Sequence, residues 1–230
     1  MGNLSKLFKW SKKVDIRDSS DNIVATVFMR LIGDADFNEA REQALASSKK
    51  LRRDLKNPQS LAYTGAFADI EFVDKDDMIN NVIISEMNVY RDEATKLFPE
   101  KDLPEPPETS DLESQEEYQD KVKTIRDERV KSISEHMDKR FEERRVELEK
   151  ETLEVLKKDY IRAVINNRAN QEFMDTFQDY CVFKATYSDE AMKKPEFSSF
   201  DEFVNCAPQV KDQLIRAYLT LEISGEELKN

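Results

Sequence analysis

Apolar and polar positions change rhythm several times along this chain. Val14 and Ile16, then Ile23 to Met29, form β-branched or apolar runs separated by the turn-forming Ser19-Ser20-Asp21-Asn22, which predicts a β-hairpin. Gly33-Asp34-Ala35-Asp36 ends it. Phe37, Ala40, Ala44, Ser48, Leu51 and Leu55 then line one face of a helix, with Asp36 and Glu39 at capping-box spacing and Asn57-Pro58 as the stop. A two-stranded hairpin is marginal alone, so this helix face is expected to cover it.

Leu61 to Val73 reads either as helix or as an irregular segment, since Gly65 weakens both. From Asp74 onwards Met78, Ile79, Val82, Ile83, Met87 and Tyr90 recur every three or four residues, predicting a helix that ends near Phe98. Pro99, Pro104, Pro106 and Pro107 next punctuate an acidic stretch, the composition of an extended, mobile linker.

No proline stands between Pro107 and Pro195 and no glycine between Gly65 and Gly225. A helix running most of the way from Asp111 to Arg168 would reach on the order of 80 Å, so it must protrude, fold back or find a partner. Ile133, Met137 and Phe141 give it a thin apolar line with helical spacing and no clean heptad. Apolar content rises from Tyr160 to Phe183, the expected entry to a more ordinary core. Ser199 and Glu202 match a capping box ahead of Phe200 and Phe203, and a final helix after Pro208 presents Val210, Leu214, Ile215, Tyr218 and Leu221 before Gly225.

These elements predict a mainly α protein with a small N-terminal β-hairpin, a long charged helix in the middle and a compact helical C-terminal part. The expected divisions are 1–98, 99–112, 113–168 and 169–230. Charged residues make up 37% of the 230 and the net charge is −12, which argues against a general grip on nucleic acid and for a basic or amphipathic partner. No stretch approaches the roughly 20 apolar residues of a membrane span, so a cytoplasmic location is expected. Leu4, Leu7, Phe8 and Trp10 alternate with Lys6, Lys9, Lys12 and Lys13 in a short segment that could touch an anionic membrane, although packing on the following domain explains it better.

Candidate chemistry is sparse. His136 is the single histidine and lies amid charges, so a surface role is expected. Cys181 and Cys206 offer no disulfide framework or metal spacing; Cys206, near a helix start, could have a lowered pKa, but a small buried side chain fits better. Asp34, Asp36 and Asn38 copy the opening of an EF-hand loop, which then fails at Glu39 and Leu45; Asp74, Asp76 and Asp77 suit a helix start. No phosphate-binding glycine motif occurs. The expectation is a non-enzymatic protein with no catalytic, cofactor or metal residues.

Phe200-Asp201-Glu202-Phe203, the run Val210-Lys211-Asp212-Gln213-Leu214-Ile215-Arg216-Ala217-Tyr218 and the ending Glu226-Glu227-Leu228-Lys229-Asn230 resemble a tailed-bacteriophage tail assembly chaperone. The resemblance covers the C-terminal fifth best. It implies a protein that binds the tape-measure protein and helps tail-tube subunits polymerise around it in the host cytoplasm. The apolar faces around Phe173 to Phe183 and Val210 to Leu221 are then candidates for the client surface, with core packing as their simpler role. The alternative is a structural or scaffolding homo-oligomer joined through the long charged helix.

Overall fold

Strand β1 (Ser11–Arg17) and strand β2 (Ile23–Arg30) pair antiparallel with Val14 opposite Val27 and Lys12 opposite Met29. The turn is built by Asp18, whose carboxylate accepts the backbone N–H groups of Ser20 at 2.8 Å and Asn22 at 2.9 Å. Asp21 takes a positive φ of 65°, a conformation that aspartate tolerates better than most residues. Alternation places Val14, Ile16, Val27 and Met29 on the buried face. The computed structural model describes residues 11–107 and 112–227, so most of the basic N-terminal segment lies outside it.

A third strand completes the sheet from the far end of the chain. β3 (Thr186–Tyr187) adds to β2 in the order β1-β2-β3, with Phe28 opposite Tyr187. Sequence pattern did not reveal it, because two residues directly after a helix carry no period. The sheet is covered mainly by helix α7 (Pro208–Glu227), not by the helix that follows the hairpin. Gln213 of α7 clamps the end of β1, accepting the Arg17 N–H and donating to its carbonyl, both at 2.9 Å. That clamp satisfies backbone groups on an edge strand that would otherwise be open to pairing. The last helix also runs past Gly225, where the sequence pattern places its end.

Helix α1 (Asp34–Leu55) begins two residues before Asp36: the Phe37 N–H bonds the Gly33 carbonyl at 3.0 Å. Asp36 and Glu39 therefore sit inside the first turns and not in a capping box. Both reach Lys184 on helix α5 (Leu153–Ala185), while Ser48 donates to the Ala169 carbonyl at 2.6 Å further along. α1 thus lies antiparallel to the C-terminal half of α5. Ala40 joins the core under the sheet, and Phe203 of the short helix α6 (Phe200–Val204) is fully buried there with Leu214.

Residues 61–73 resolve into helix α2 (Leu61–Phe67), capped by Ser60, and a 3-10 turn at Ile70–Phe72. Asp74 then caps α3 (Lys75–Leu97) by accepting the Asp77 N–H at 2.7 Å. Helix α4 (Leu112–Glu149) returns antiparallel to α3: the Lys75 ammonium reaches the Glu149 carbonyl at 2.6 Å, and Arg129 reaches the Phe98 carbonyl at 2.9 Å.

The long charged segment is two helices. The turn Lys150-Glu151-Thr152 separates α4 from α5, with Thr152 hydroxyl and carbonyl both receiving N–H groups of the new helix. The chain folds back because Leu148, Leu156 and Ala163 then bury against Met78, Ile79 and Val82 of α3. A solitary 80 Å helix would leave those side chains in water.

The Pro-rich stretch is without helix or strand over its described residues. Residues 99–107 run along α4. Lys101 pairs with Glu128 at 3.6 Å and Glu100 with Arg129 at 3.4 Å. It is a strap on α4, tethered at several points.

Two compact units result: Met1–Asp54 with Arg168–Asn230, and Leu55–Asn167. The divisions read from sequence follow one another along the chain, whereas the first unit joins its two ends and the border near Arg168 falls inside α5.

Candidate polypeptide-binding faces

The stretch from Phe173 to Phe183 divides sharply between core and surface. Tyr180, Cys181 and Val182 are buried with Leu214, Ala217 and Tyr218 of α7, so most of both expected client faces is spent on the core. Tyr180 donates to Glu39 at 2.6 Å, and burial followed by that carboxylate raises its pKa. Glu39 is held below the usual carboxylate range by the Lys184 ammonium at 2.8 Å and then by the Tyr180 hydroxyl. Burial raises the Asp179 pKa even though the Lys211 ammonium opposes it.

Where α1 meets α5, an aromatic edge remains partly outside. Phe37 and Phe177 meet edge to face at 5.0 Å, and Phe173 stacks on Phe177 at 6.0 Å. Phe37 is 46% exposed and Met174 59%. The neighbouring carboxylate of Glu172 is already engaged by Ser47 and Thr176.

The α3–α4 pair has two unlike edges. On one, ion pairs form a ladder: Arg144 holds both oxygens of Glu86 at 3.0 and 3.1 Å and also reaches Glu147, while Arg140 binds Glu143 at 3.0 Å and Glu93 at 3.5 Å. Tyr90 packs against Phe141 at 5.7 Å and donates to Glu86. Burial, reinforced by that carboxylate, pushes its pKa up to about 12, and the bidentate contact with Glu86 holds Arg144 firmly protonated.

The other edge is an open apolar groove floored by Ile83, Ile84, Met87 and Phe141 and rimmed by Asp138 and Glu142. Ile84 is 56% exposed and Met87 42%. Arg145 closes one end with its guanidinium donating to the Asn80 side-chain oxygen. Asn80, Ile84 and Met87 recur at helical spacing on α3 and span about 10 Å of it. The sequence stripe included Met87 but not Ile84. On sequence alone a groove residue and a core residue of the same helix have the same spacing.

The residues considered for chemistry are scattered. His136 is half-buried edge-on to Phe98 at 6.1 Å, with its Nε2 shielded and without a hydrogen bond, and is not the surface histidine expected. Cys181 is in the core of the first unit. Burial raises the pKa of the half-buried Cys206 thiol, the opposite of activation. Asp34 lies in the first turn of α1 and Asp74 caps α3. Among the described residues no group of three His, Cys, Asp or Glu side chains is placed to hold a metal ion, and no helix is long and apolar enough to cross a membrane. No protein-family model matches this chain, and neither a curated protein nor a solved structure shows significant similarity to it.

Proposed function

We propose that this protein acts by holding another polypeptide, with no bond made or broken, as a tail assembly chaperone that binds the tape-measure protein and aids tail-tube polymerisation. The observation that carries the reading is the exposure of large apolar side chains on otherwise charged helical faces: Ile84 and Met87 in one unit, Phe37 and Met174 in the other. Such faces can cover apolar stretches of a client before it assembles, while the net charge of −12 keeps the complex in solution. The resemblance in Phe200 to Tyr218 supplies the identity of the client. Those residues serve the fold: Phe203 and Leu214 are in the core, and Ser199 caps α6.

The scaffolding alternative needs Ile133, Met137 and Phe141 as a free seam. Phe141 packs against Tyr90 and the α3 core, and Ile133 and Met137 are half-buried, so the present packing favours client binding over self-association through that stripe. The test is co-expression with a tape-measure protein. A several-fold rise in soluble tape-measure protein is expected. An unchanged yield together with no co-purification rejects the reading, and a stable oligomer lost on Met137→Glu substitution would favour the scaffold instead.

A further inference from the structure

Resting on the polypeptide-binding reading, we infer that the groove between α3 and α4 seats a basic amphipathic helix of a partner protein, with apolar side chains on Ile84, Met87 and Phe141 and lysine or arginine over Asp138 and Glu142.

Charge separates the two edges of the α3–α4 pair. Every carboxylate of the opposite edge has a cation: Glu86 and Glu147 have Arg144, and Glu93 and Glu143 have Arg140. Asp138 and Glu142 border the apolar floor, are exposed and have no ion pair or hydrogen bond among the described residues. The basic residue nearest them in the groove, Arg145, is turned onto Asn80. Unpaired carboxylates beside exposed apolar side chains are complementary to a helix that is apolar on one face and cationic along its flank.

Shape agrees with that occupant. Two antiparallel helices leave a furrow into which a third can pack its side chains, and Leu156 and Ala163 of α5 share the core cluster with Met78, Ile79, Val82 and Ile83, whereas Ile84 and Met87 are exposed outside it. The groove face of α3 runs for two turns from Asn80 through Ile84 to Met87, enough for apolar anchors spaced i, i+3 or i+4 and i+7 on an incoming helix. The mixture of methionine with branched and aromatic side chains adapts to anchors of different shape. A second copy is a poorer occupant: an isologous contact would bring the same unpaired carboxylates of both copies together.

The probe is a synthetic 14-residue helical peptide with leucine along one face and lysine on both flanks; its control carries glutamate in place of lysine. Binding to the full chain is read by the emission of an environment-sensitive dye on a Met87→Cys variant whose other cysteines are replaced by alanine. Calorimetry on the unlabelled protein provides a dye-free check. The lysine peptide should shift the emission and bind at least tenfold tighter than the glutamate peptide. Ile84→Glu should abolish binding with an unchanged melting profile, because Ile84 is already exposed. Asp138→Lys with Glu142→Lys should reverse the preference between peptides.

Equal affinity for the two peptides, undiminished binding by Ile84→Glu, or no binding of the lysine peptide overturns the inference. So does a concentration-dependent dimer that Ile84→Glu dissolves, since the groove would then belong to a second copy. If the peptide seats as described and a co-expressed tape-measure protein stays insoluble, the tail-assembly reading falls and the groove stands. If wild type and Ile84→Glu raise its soluble yield alike, the groove falls and the chaperone reading stands.

Discussion

The two units spend their large apolar side chains differently. The unit formed by both ends of the chain gathers Tyr180, Phe183, Phe197, Phe200 and Phe203 into a continuous aromatic cluster, with centroids such as Tyr180–Phe200 at 4.9 Å and Phe197–Phe203 at 5.2 Å, and closes it with a sheet. The unit from Leu55 to Asn167 has a thin aliphatic core and lines one edge of it with arginine–glutamate pairs. A sheet demands one buried face from strands distant in sequence, so the first unit needs remote segments to meet before it gains stability. Helices that follow one another in the chain need fewer remote contacts and can leave a face uncovered. The comparison teaches that either way of building a core leaves apolar side chains outside, Ile84 and Met87 in the helical unit and Phe37 and Met174 in the sheet-bearing one.

Deleting the deepest aromatic should separate the units most clearly. Phe203→Ala removes a fully buried ring from the sheet-bearing unit, at a cost of about 3 to 5 kcal/mol. Denaturant unfolding should show that loss, and amide exchange should accelerate in β1, β2 and α7. Protection falling first in α3 and α4 would break the assignment of Phe203 to this core.

Leu148→Ala is the matching deletion in the helical unit and should cost about 2 to 4 kcal/mol, towards the lower end because a thin core collapses more readily around a small cavity. Its denaturation midpoint should fall by less than that of Phe203→Ala. The reverse order would show that the helical unit is the more tightly packed one.

Smaller changes sharpen the picture. Arg144→Ala removes the half-exposed bidentate partner of Glu86 and should cost about 1 kcal/mol, an effect that thermal melts should show shrinking in high salt. Ser199→Ala removes the α6 cap, which accepts the Glu202 N–H at 3.2 Å, and should cost about 1 kcal/mol with no salt dependence.

The least effect is expected from Glu39→Gln. The folded state lowers the Glu39 pKa, so its ionised form contributes stability above the ordinary glutamate range that is lost as pH falls through the depressed value. Melting temperature against pH on the acid side should therefore be shallower in Glu39→Gln than in wild type. Identical slopes would remove Glu39 from the contact that joins α1 to α5.

Much of the element content was legible. The hairpin could be read because Ser19 to Asn22 carries turn chemistry between two apolar runs, and α3 because Met78 to Tyr90 keeps a helical period. The break at Lys150-Glu151-Thr152 was hidden, since none of these residues forbids a helix and only burial of Leu148 and Leu156 against α3 makes the fold-back favourable. The faces around Phe173 to Phe183 and Val210 to Leu221 could be read as client surface or as core for a related reason. Tyr180 and Leu214 have the same residue chemistry whether they meet a partner or their own core.

Local pattern alone therefore determined that this protein is mainly helical with a small hairpin, strongly acidic and without a recognisable catalytic motif. Tertiary structure decided that β3 joins a strand more than 150 residues away, that Gln213 seals the sheet edge, and that Ile84 is exposed while its neighbour Ile83 is buried. The reason is that periodicity specifies which side chains share a face, whereas the neighbour that covers that face is chosen by packing among segments that sequence order does not place together.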